Sequence, residues 1–267
     1  MSVLARFLLF SLIASAGYGQ EPSSEPLKKV LIGKLVIESN TLSSVDRERL
    51  VRSFARKTYV EDEIGARIRQ ALMNRGYFKA TVDEPRITFA TQGQAADVRV
   101  KVDEERQYRL GEIRFEKATV FPDATLRNLF QLQSGDVFNR SRITRGLEDT
   151  RELYWTRGYV NLVPVPEVVS NKSRGTIDLV IHLDEGIPYD FGKLYLEGIE
   201  PYPGAAQELR KSWESLQGKR FNSVELRRWF TENKSHWKVA QFWRSVNYAP
   251  RDPEHHVLNV ALSQWDP

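Results

Sequence analysis

The sequence contains no cysteine, which excludes disulfide bonds, thiolate metal sites and a lipid anchor on an N-terminal cysteine. Beyond its first residues it also lacks any apolar run of about 18 residues, so no later segment is expected to cross a membrane as a helix. A His-Glu-x-x-His pattern, a phosphate-binding loop and a dinucleotide glycine fingerprint are missing as well. We therefore expect no catalytic residue, no metal site and no cofactor, and we expect that the protein is not an enzyme.

The N-terminal residues have the layout of a secretory signal peptide. Arg6 precedes the apolar run Phe7–Ala16, and small residues follow. Cleavage after Ala16 and cleavage after Gly19 both fit this pattern. The alternative is an uncleaved membrane anchor, but the run is too short to cross about 30 Å of hydrocarbon. We therefore predict export, with a signal peptide over residues 1–19.

The charged residues are mixed along the chain rather than clustered. The formal net charge at pH 7 is +4, and no basic stripe typical of nucleic-acid binding is present. We therefore expect no nucleic-acid partner. A small positive charge is compatible with peripheral association with anionic lipid headgroups.

One short motif occurs twice, and the segments around it recur at nearly the same spacing. Arg75-Gly76-Tyr77-Phe78 returns as Arg157-Gly158-Tyr159-Val160, roughly 80 residues later. Similar apolar segments begin at Gly33, Gly111 and Gly192. A chain built by repeating one unit is more typical of a modular binding protein than of an enzyme with a single pocket.

The repeated unit predicts the element order β-α-α-β-β. In the first unit, Ile64, Ile68 and Leu72 fall on one helical stripe, and Val98–Val102 alternates as a strand. The third unit has Lys234-Ser235-His236-Trp237 in place of the Gly-Tyr motif and is therefore degenerate. We predict an α+β fold of three tandem repeats, each a three-stranded sheet covered on one face by two helices. The predicted boundaries are a linker at 20–27 and repeats at 28–106, 107–187 and 188–267.

Gly76 and Gly158 each follow the second predicted helix of their unit. A chain that leaves a helix and enters a strand at once needs a positive φ, which glycine adopts without a Cβ penalty. Tyr77 and Tyr159 are then expected to fold back on the last helical turn. We predict a structural role for these four residues.

The element order, the Gly-Tyr step and the spacing of Leu147, Tyr154 and Gly158 resemble the polypeptide-transport-associated (POTRA) repeat family. The resemblance covers roughly residues 28 to 265. It implies a periplasmic arm of the kind that assembles or transports outer-membrane proteins, where such arms normally precede a β-barrel. No sequence remains after Pro267 for a barrel, which needs at least about eight strands, so we expect the arm function without the pore.

This resemblance implies partners and a location. The expected partners are unfolded or extended outer-membrane protein clients, with a separate outer-membrane β-barrel protein as a further candidate. The expected location is the periplasm, with association with the outer membrane as an option. The alternative is an envelope or division scaffold adapter that has no client-transport role.

The strand that follows each Gly-Tyr step is expected to lie at an open sheet edge. An extended client segment can add to such an edge through main-chain hydrogen bonds. Pro85, Pro164 and Pro166 fit an edge position, although they are also compatible with a role that only prevents aggregation. The candidate peptide-binding residues are Phe78, Ala80, Val82, Val160, Leu162 and Val163.

Two further residue groups leave more than one interpretation. Five of the six tryptophans lie in the third unit, where exposed indoles would indicate an interface and buried ones a core. The candidate docking surface consists of Trp229, Trp243 and Trp265.

The acidic runs Asp103-Glu104-Glu105 and Asp184-Glu185 stand at unit boundaries and are expected to be solvated turns.

Overall fold

The computed structural model describes residues 28–89, 95–197, 204–233 and 251–263. The predicted signal peptide and linker lie outside these residues, as do Trp243 and Trp265. Within the described ranges, no helix is both long enough and apolar enough to cross a membrane.

The first sheet combines parallel and antiparallel strands. Its elements are β1 (Lys29–Glu38), α1 (Ser44–Phe54), β2 (Thr58–Val60), a 3₁₀ turn (Glu61–Glu63), α2 (Ile64–Met73), β3 (Thr81–Val82), β4 (Arg86–Phe89) and β5 (Ala95–Asp103). The strand order is β2-β1-β5-β3, and β4 also pairs with β5. β1 runs parallel to β5, whereas β2, β3 and β4 pair antiparallel with their neighbours.

The helices of this part form where the sequence pattern predicts them. The Ser43 hydroxyl accepts a 3.0 Å hydrogen bond from the Asp46 amide and caps α1. Ile64, Ile68 and Leu72 are fully buried on one stripe of α2. They pack with the inward side chains of β1 and β5 in one core cluster, so burial of this stripe holds α2 on the sheet.

The second sheet has the order β6-β8-β7. Its elements are β6 (Arg109–Glu116), α3 (Asp123–Arg127), α4 (Arg140–Trp155), β7 (Val163–Asn171) and β8 (Thr176–Asp184). α3 is short and ends at Arg127, before Phe130. Leu126 and Phe130 are nevertheless buried.

The third sheet has the order β10-β11-β9. Its elements are β9 (Asp190–Glu197), α5 (Ala205–Trp213), α6 (Ser223–Glu232), β10 (Arg251–Asp252) and β11 (Val257–Ser263). β9 pairs in parallel with β11, and β10 pairs antiparallel with β11. The second and third sets of described elements follow the order β-α-α-β-β, whereas the first has β2 between its helices and forms a sheet of five strands rather than the predicted three. The fold is mixed α+β, with six α-helices among the described residues.

The tryptophans of α5 and α6 lie in the core of this third part. Trp213 is 2% exposed and Trp229 is 3% exposed, with their rings edge to face at 4.9 Å. The Trp213 indole donates to the Gly192 carbonyl, and the Trp229 indole donates to the Ser212 hydroxyl. Trp229 was predicted as part of a docking surface, and this was wrong because its ring fills the core.

Packing divides the chain into two compact units. One contains the described residues up to Arg114, together with Phe130–Gly146 and Pro166–Ile181. The other contains Phe115–Leu129, Leu147–Val165 and the described residues from His182 onward. The division passes through the elements of the second sheet, so the three predicted domain boundaries stay a prediction.

Candidate functional site

Both Gly-Tyr steps end a helix in the left-handed conformation. Gly76 has φ of 87° and Gly158 has φ of 88°, as the sequence predicted. The Tyr77 amide donates to the Leu72 carbonyl, and the Tyr159 amide donates to the Tyr154 carbonyl. These bonds close the last helical turn and satisfy a carbonyl that would otherwise lack a partner.

The carbonyl of each glycine also accepts a hydrogen bond from the residue that directly precedes the next sheet. The sequence pattern did not predict this contact. The Gly76 carbonyl accepts from the Tyr108 amide at 2.8 Å, and the Tyr108 carbonyl accepts from the Phe138 amide at 3.0 Å. We call this arrangement of Gly76, Tyr108 and Phe138 the first joint. The three residues lie in one compact unit, and their main-chain groups connect α2 to the strand that follows the first sheet.

The second joint repeats the first with other residues. The Gly158 carbonyl accepts from the Tyr189 amide at 2.9 Å, and the Tyr189 carbonyl accepts from the Phe221 amide at 2.9 Å. A Cβ atom on Gly158 would lie 2.7 Å from the Tyr189 carbonyl oxygen, and one on Gly76 would lie 2.8 Å from that of Tyr108. Glycine is therefore required at both positions for close approach as well as for φ.

Phe78 and Val160, which were predicted to bind peptide, pack at these joints. The Phe78 ring packs edge to face on Phe138, with centroids 5.3 Å apart. Val160 is 6% exposed and lies in a core cluster with Tyr189 and Phe191. The prediction that they lie on edge strands was wrong, because both residues are in turns and the edge strands begin later, at Thr81 and Val163.

Two more of the predicted peptide-binding residues lie outside the edge strands. Ala80 is fully buried and Leu162 is 4% exposed. They directly precede β3 and β7, so their predicted contact with a client is corrected in the same way. Val82 in β3 is half-buried, and Val163 in β7 is 39% exposed.

Among the described residues, the strands after each joint lie at the ends of their sheets. β3 ends the order of the first sheet, and β7 ends the order of the second. Pro164 and Pro166 lie within β7 and are buried, whereas Val163, Val165 and Val169 on the same strand are exposed. β7 therefore presents an edge whose backbone has one side directed away from its sheet.

Glu104 is a buried carboxylate and not a solvated turn residue, so this expectation was wrong. It is 1% exposed, and its Oε1 accepts from the Ser39 hydroxyl at 2.5 Å and from the Thr41 hydroxyl at 2.6 Å. Burial alone would raise the pKa of Glu104, but the hydrogen bonds from Ser39 and Thr41 outweigh it, and the pKa lies below its ordinary value. Glu104 thereby ties the end of β5 to the segment after β1.

Glu185 holds the equivalent segment after β6. It accepts from the Thr119 amide at 2.8 Å, from the Thr119 hydroxyl and from the Tyr154 hydroxyl at 2.6 Å. Burial acts to raise the pKa of Glu185, and these hydrogen bonds lower it overall. Burial and the bond to Glu185 together raise the pKa of Tyr154. We call Glu104 and Glu185 with their donors the two carboxylate clamps.

The remaining titratable groups do not form a metal centre in the part of the chain that is described. Within it, no group of three or more His, Asp and Glu side chains is placed to hold a metal ion. His182 lies 3.1 Å from Glu116, and His255 lies 2.8 Å from Asp252 in an exposed turn.

These features define a class of protein, a mixed α+β chain in which helices end at glycines of positive φ and the sheets end in open strand edges. Residues 30–105 and 108–186 match the POTRA family, described as a surface antigen variable number repeat. The chain belongs to this family.

Two relatives place the chain among known proteins. The outer membrane protein assembly factor BamA of Neisseria meningitidis serogroup B is 23% identical over 145 residues, which cover 50% of this chain and 18% of that protein. The chain therefore spans less than a fifth of this relative's length. The crystal structure of Haemophilus influenzae BamA POTRA3-5 has a TM-score of 0.67 and 18% identity, and the match covers 91% of this chain and 100% of that one. This likeness establishes the fold.

Proposed function

We propose that the chain is a periplasmic polypeptide-binding arm that acts in outer-membrane protein assembly or transport. Membership of the POTRA family supports this role. So does the similarity to a protein named as an outer membrane protein assembly factor. The observation that carries the proposal is the position of β3 and β7 at the ends of their sheets.

An extended client segment would bind by adding a strand at these edges. Main-chain hydrogen bonds give such binding its affinity whatever the client sequence, and the side chains that alternate along the edge give it selectivity. This mechanism suits unfolded outer-membrane proteins, because an unfolded segment has backbone groups free to pair with a strand edge. Exposed Val163 and Val165 would contact apolar side chains of the added segment.

A separate outer-membrane β-barrel protein is the proposed docking partner. The chain spans only a small part of its Neisseria relative, so a barrel would be supplied by a further polypeptide or a further segment. Trp243 and Trp265 remain candidates for docking, and peripheral association with the membrane surface is proposed with them. Trp229 takes no part, because it is buried in the core.

The absence of cysteine in the sequence makes a cross-linking test straightforward. A Val163→Cys variant carries a photoreactive probe on β7, and Val45→Cys carries the same probe on α1. Val45 is the matched control, since it is a valine that is 52% exposed and lies on a helix. A purified outer-membrane barrel protein, diluted from urea, is the client.

We expect strong cross-linking to the unfolded client from Val163→Cys and little from Val45→Cys. The same barrel protein added in its folded form is expected to give little product from either variant. Equal products from both variants would contradict edge binding. No product with the unfolded client would contradict the proposed function and would favour the scaffold alternative.

A further inference from the structure

We propose that β7 pairs with clients only through its last part, residues 168–170, and that the basic turn after it selects segments with an acidic residue next to an apolar stretch. The proposal rests on the proposed function, since it specifies which part of the edge is used. It also assigns a role to two prolines that edge pairing alone does not need.

The two prolines of β7 remove donors from its open side. Pro164 and Pro166 are two residues apart, and residues two apart direct their backbone groups to the same side of a strand. Proline has no N–H, so within sheets it lies where that side faces away from the neighbouring strand. Because β8 lies on one side of β7, Pro164 and Pro166 direct their carbonyls to the open side.

The same alternation places residues that have both an N–H and a C=O on the open side near the end of the strand. Val168 and Ser170 direct both N–H and C=O to the open side. A client segment paired along all of β7 would leave two of its own carbonyls without donors, which is unfavourable once water is excluded. A segment paired at Val168 and Ser170 avoids this cost, so the prolines define where pairing stops.

The turn that follows this pairing site is positively charged. Lys172 and Arg174 are exposed, and the Arg106 guanidinium donates to the Lys172 carbonyl. A Cβ atom on Gly175 would lie 2.6 Å from Arg106 Nη2, so this guanidinium lies against the turn. Within the described residues, no ion pair joins any of these three cations to a carboxylate.

The chemistry of the client follows from these neighbours. Val169 is 43% exposed beside the pairing site, so an apolar side chain on the added strand would cover it. A carboxylate at the end of that strand would lie against the turn with Lys172 and Arg174. The occupant is therefore an extended polypeptide with alternating apolar residues that ends in an acidic one.

The test uses the full chain and a short synthetic peptide of alternating valine and serine, flanked at both ends by aspartate. Ser170→Pro removes one open-side donor, and Ser170→Ala keeps it. We expect Ser170→Pro to weaken binding by about tenfold, because one main-chain hydrogen bond is lost. Ser170→Ala is expected to bind as the native chain does, and circular dichroism checks that both variants fold.

A second variant tests the prolines by restoring backbone donors, so the expected result is tighter peptide binding. The double substitution Pro164→Ala and Pro166→Ala restores two donors, and we expect it to bind the peptide about a hundredfold more tightly, at about tenfold for each added hydrogen bond. Amide hydrogen exchange should show protection by the peptide at residues 168 and 170 in the native chain, and at residues 164 and 166 as well in the variant.

A peptide with asparagine in place of aspartate is expected to bind about threefold more weakly at low salt.

The outcomes separate the two proposals. Peptide protection in β3 or β4 but not in β7, unchanged binding by Ser170→Pro, or no gain from the double alanine variant would overturn this inference and leave edge binding in place. Equal binding of the aspartate and asparagine peptides would overturn the acidic selection. No binding of any peptide to the native chain would overturn the proposed function itself.

Discussion

The first and second joints share one backbone arrangement but surround it with different side chains. In both, the carbonyl of a glycine with positive φ accepts from a tyrosine amide, and the tyrosine carbonyl accepts from a phenylalanine amide. Glycine and tyrosine supply these bonds through the main chain. The connection therefore depends on residue type only at the glycine, whereas the side chains around the bonds can vary.

The first joint is reinforced by neutral polar groups. The Asn139 amide donates to the Asn74 carbonyl at 2.8 Å, and Asn74 Oδ1 accepts from the Ser141 hydroxyl at 2.9 Å. Gln107 donates to the Arg75 carbonyl. The Tyr108 hydroxyl, in contrast, is buried with no hydrogen-bond partner among the described residues.

The second joint is reinforced by charge and by apolar packing. Arg220 and Asp190 form an ion pair at 3.1 Å, and Val160 extends the core that contains Tyr189. The Tyr189 hydroxyl accepts from the Asn161 amide at 3.0 Å. The two joints therefore differ most clearly in whether the tyrosine hydroxyl is satisfied.

The largest expected effect comes from the glycines. Alanine at position 76 or 158 would have a positive φ, and its Cβ would lie under 3 Å from a carbonyl oxygen. We therefore expect Gly76→Ala and Gly158→Ala each to lower the free energy of unfolding by about 3 kcal/mol. Gly135→Ala and Gly218→Ala are matched controls, because both have positive φ but no atom within 4 Å of the added Cβ. They are expected to cost about 1 kcal/mol. Urea unfolding measures these losses. Equal losses at the joint and control glycines would show that the positive φ matters at the joints and the close Cβ contact does not.

A smaller effect is expected from the carboxylate clamps, and it depends on pH. The lowered pKa of Glu104 means that its ionised form stabilises the folded state above the unfolded pKa, and that this stability is lost as pH falls below about 4.5. Glu104→Gln should therefore lower the free energy of unfolding by about 2 kcal/mol at pH 7. The difference from the native chain should shrink as the pH falls through the lowered pKa of Glu104 in the folded state.

Glu185→Gln extends this comparison to the second clamp. The Tyr154 hydroxyl also donates to Glu185, so the loss at neutral pH should be at least as large as at Glu104. A difference from the native chain that stayed constant between pH 7 and pH 3 would contradict the role of ionisation at either clamp.

The smallest expected effect has opposite signs at the two joints. Tyr108→Phe removes a buried hydroxyl that has no partner, and we expect no loss or a gain of about 0.5 kcal/mol in stability. Tyr189→Phe removes the hydrogen bond that the Tyr189 hydroxyl accepts from the Asn161 amide and should cost about 1 kcal/mol. Thermal unfolding of both variants measures this, and losses of equal size would mean that the hydroxyls are in equivalent surroundings.

The sequence was informative where local pattern determines local structure. The stripe of Ile64, Ile68 and Leu72 predicted α2, and the glycine of each Gly-Tyr step predicted a positive φ. Both rest on periodicity or on backbone stereochemistry, which act over a few residues.

The contacts of the joints and clamps could not be obtained in the same way. Tyr108 and Tyr189 recur with the repeat, so their presence was visible, but their bonds to Gly76 and Gly158 span about thirty residues. Glu104 was misjudged because an acidic run predicts exposure, whereas the Ser39 hydroxyl and the Thr41 amide and hydroxyl, all in a distant segment, make its burial favourable. Phe78 and Val160 were misplaced because alternation after a turn does not reveal where the strand begins.

A consequence follows from the reliance of the joints on main-chain groups. Mutations that alter the faces and edges of neighbouring modules need not disturb how those modules are connected, as long as the glycine persists. Side chains on the sheet faces and edges can therefore change while the main-chain hydrogen bonds of each joint are kept.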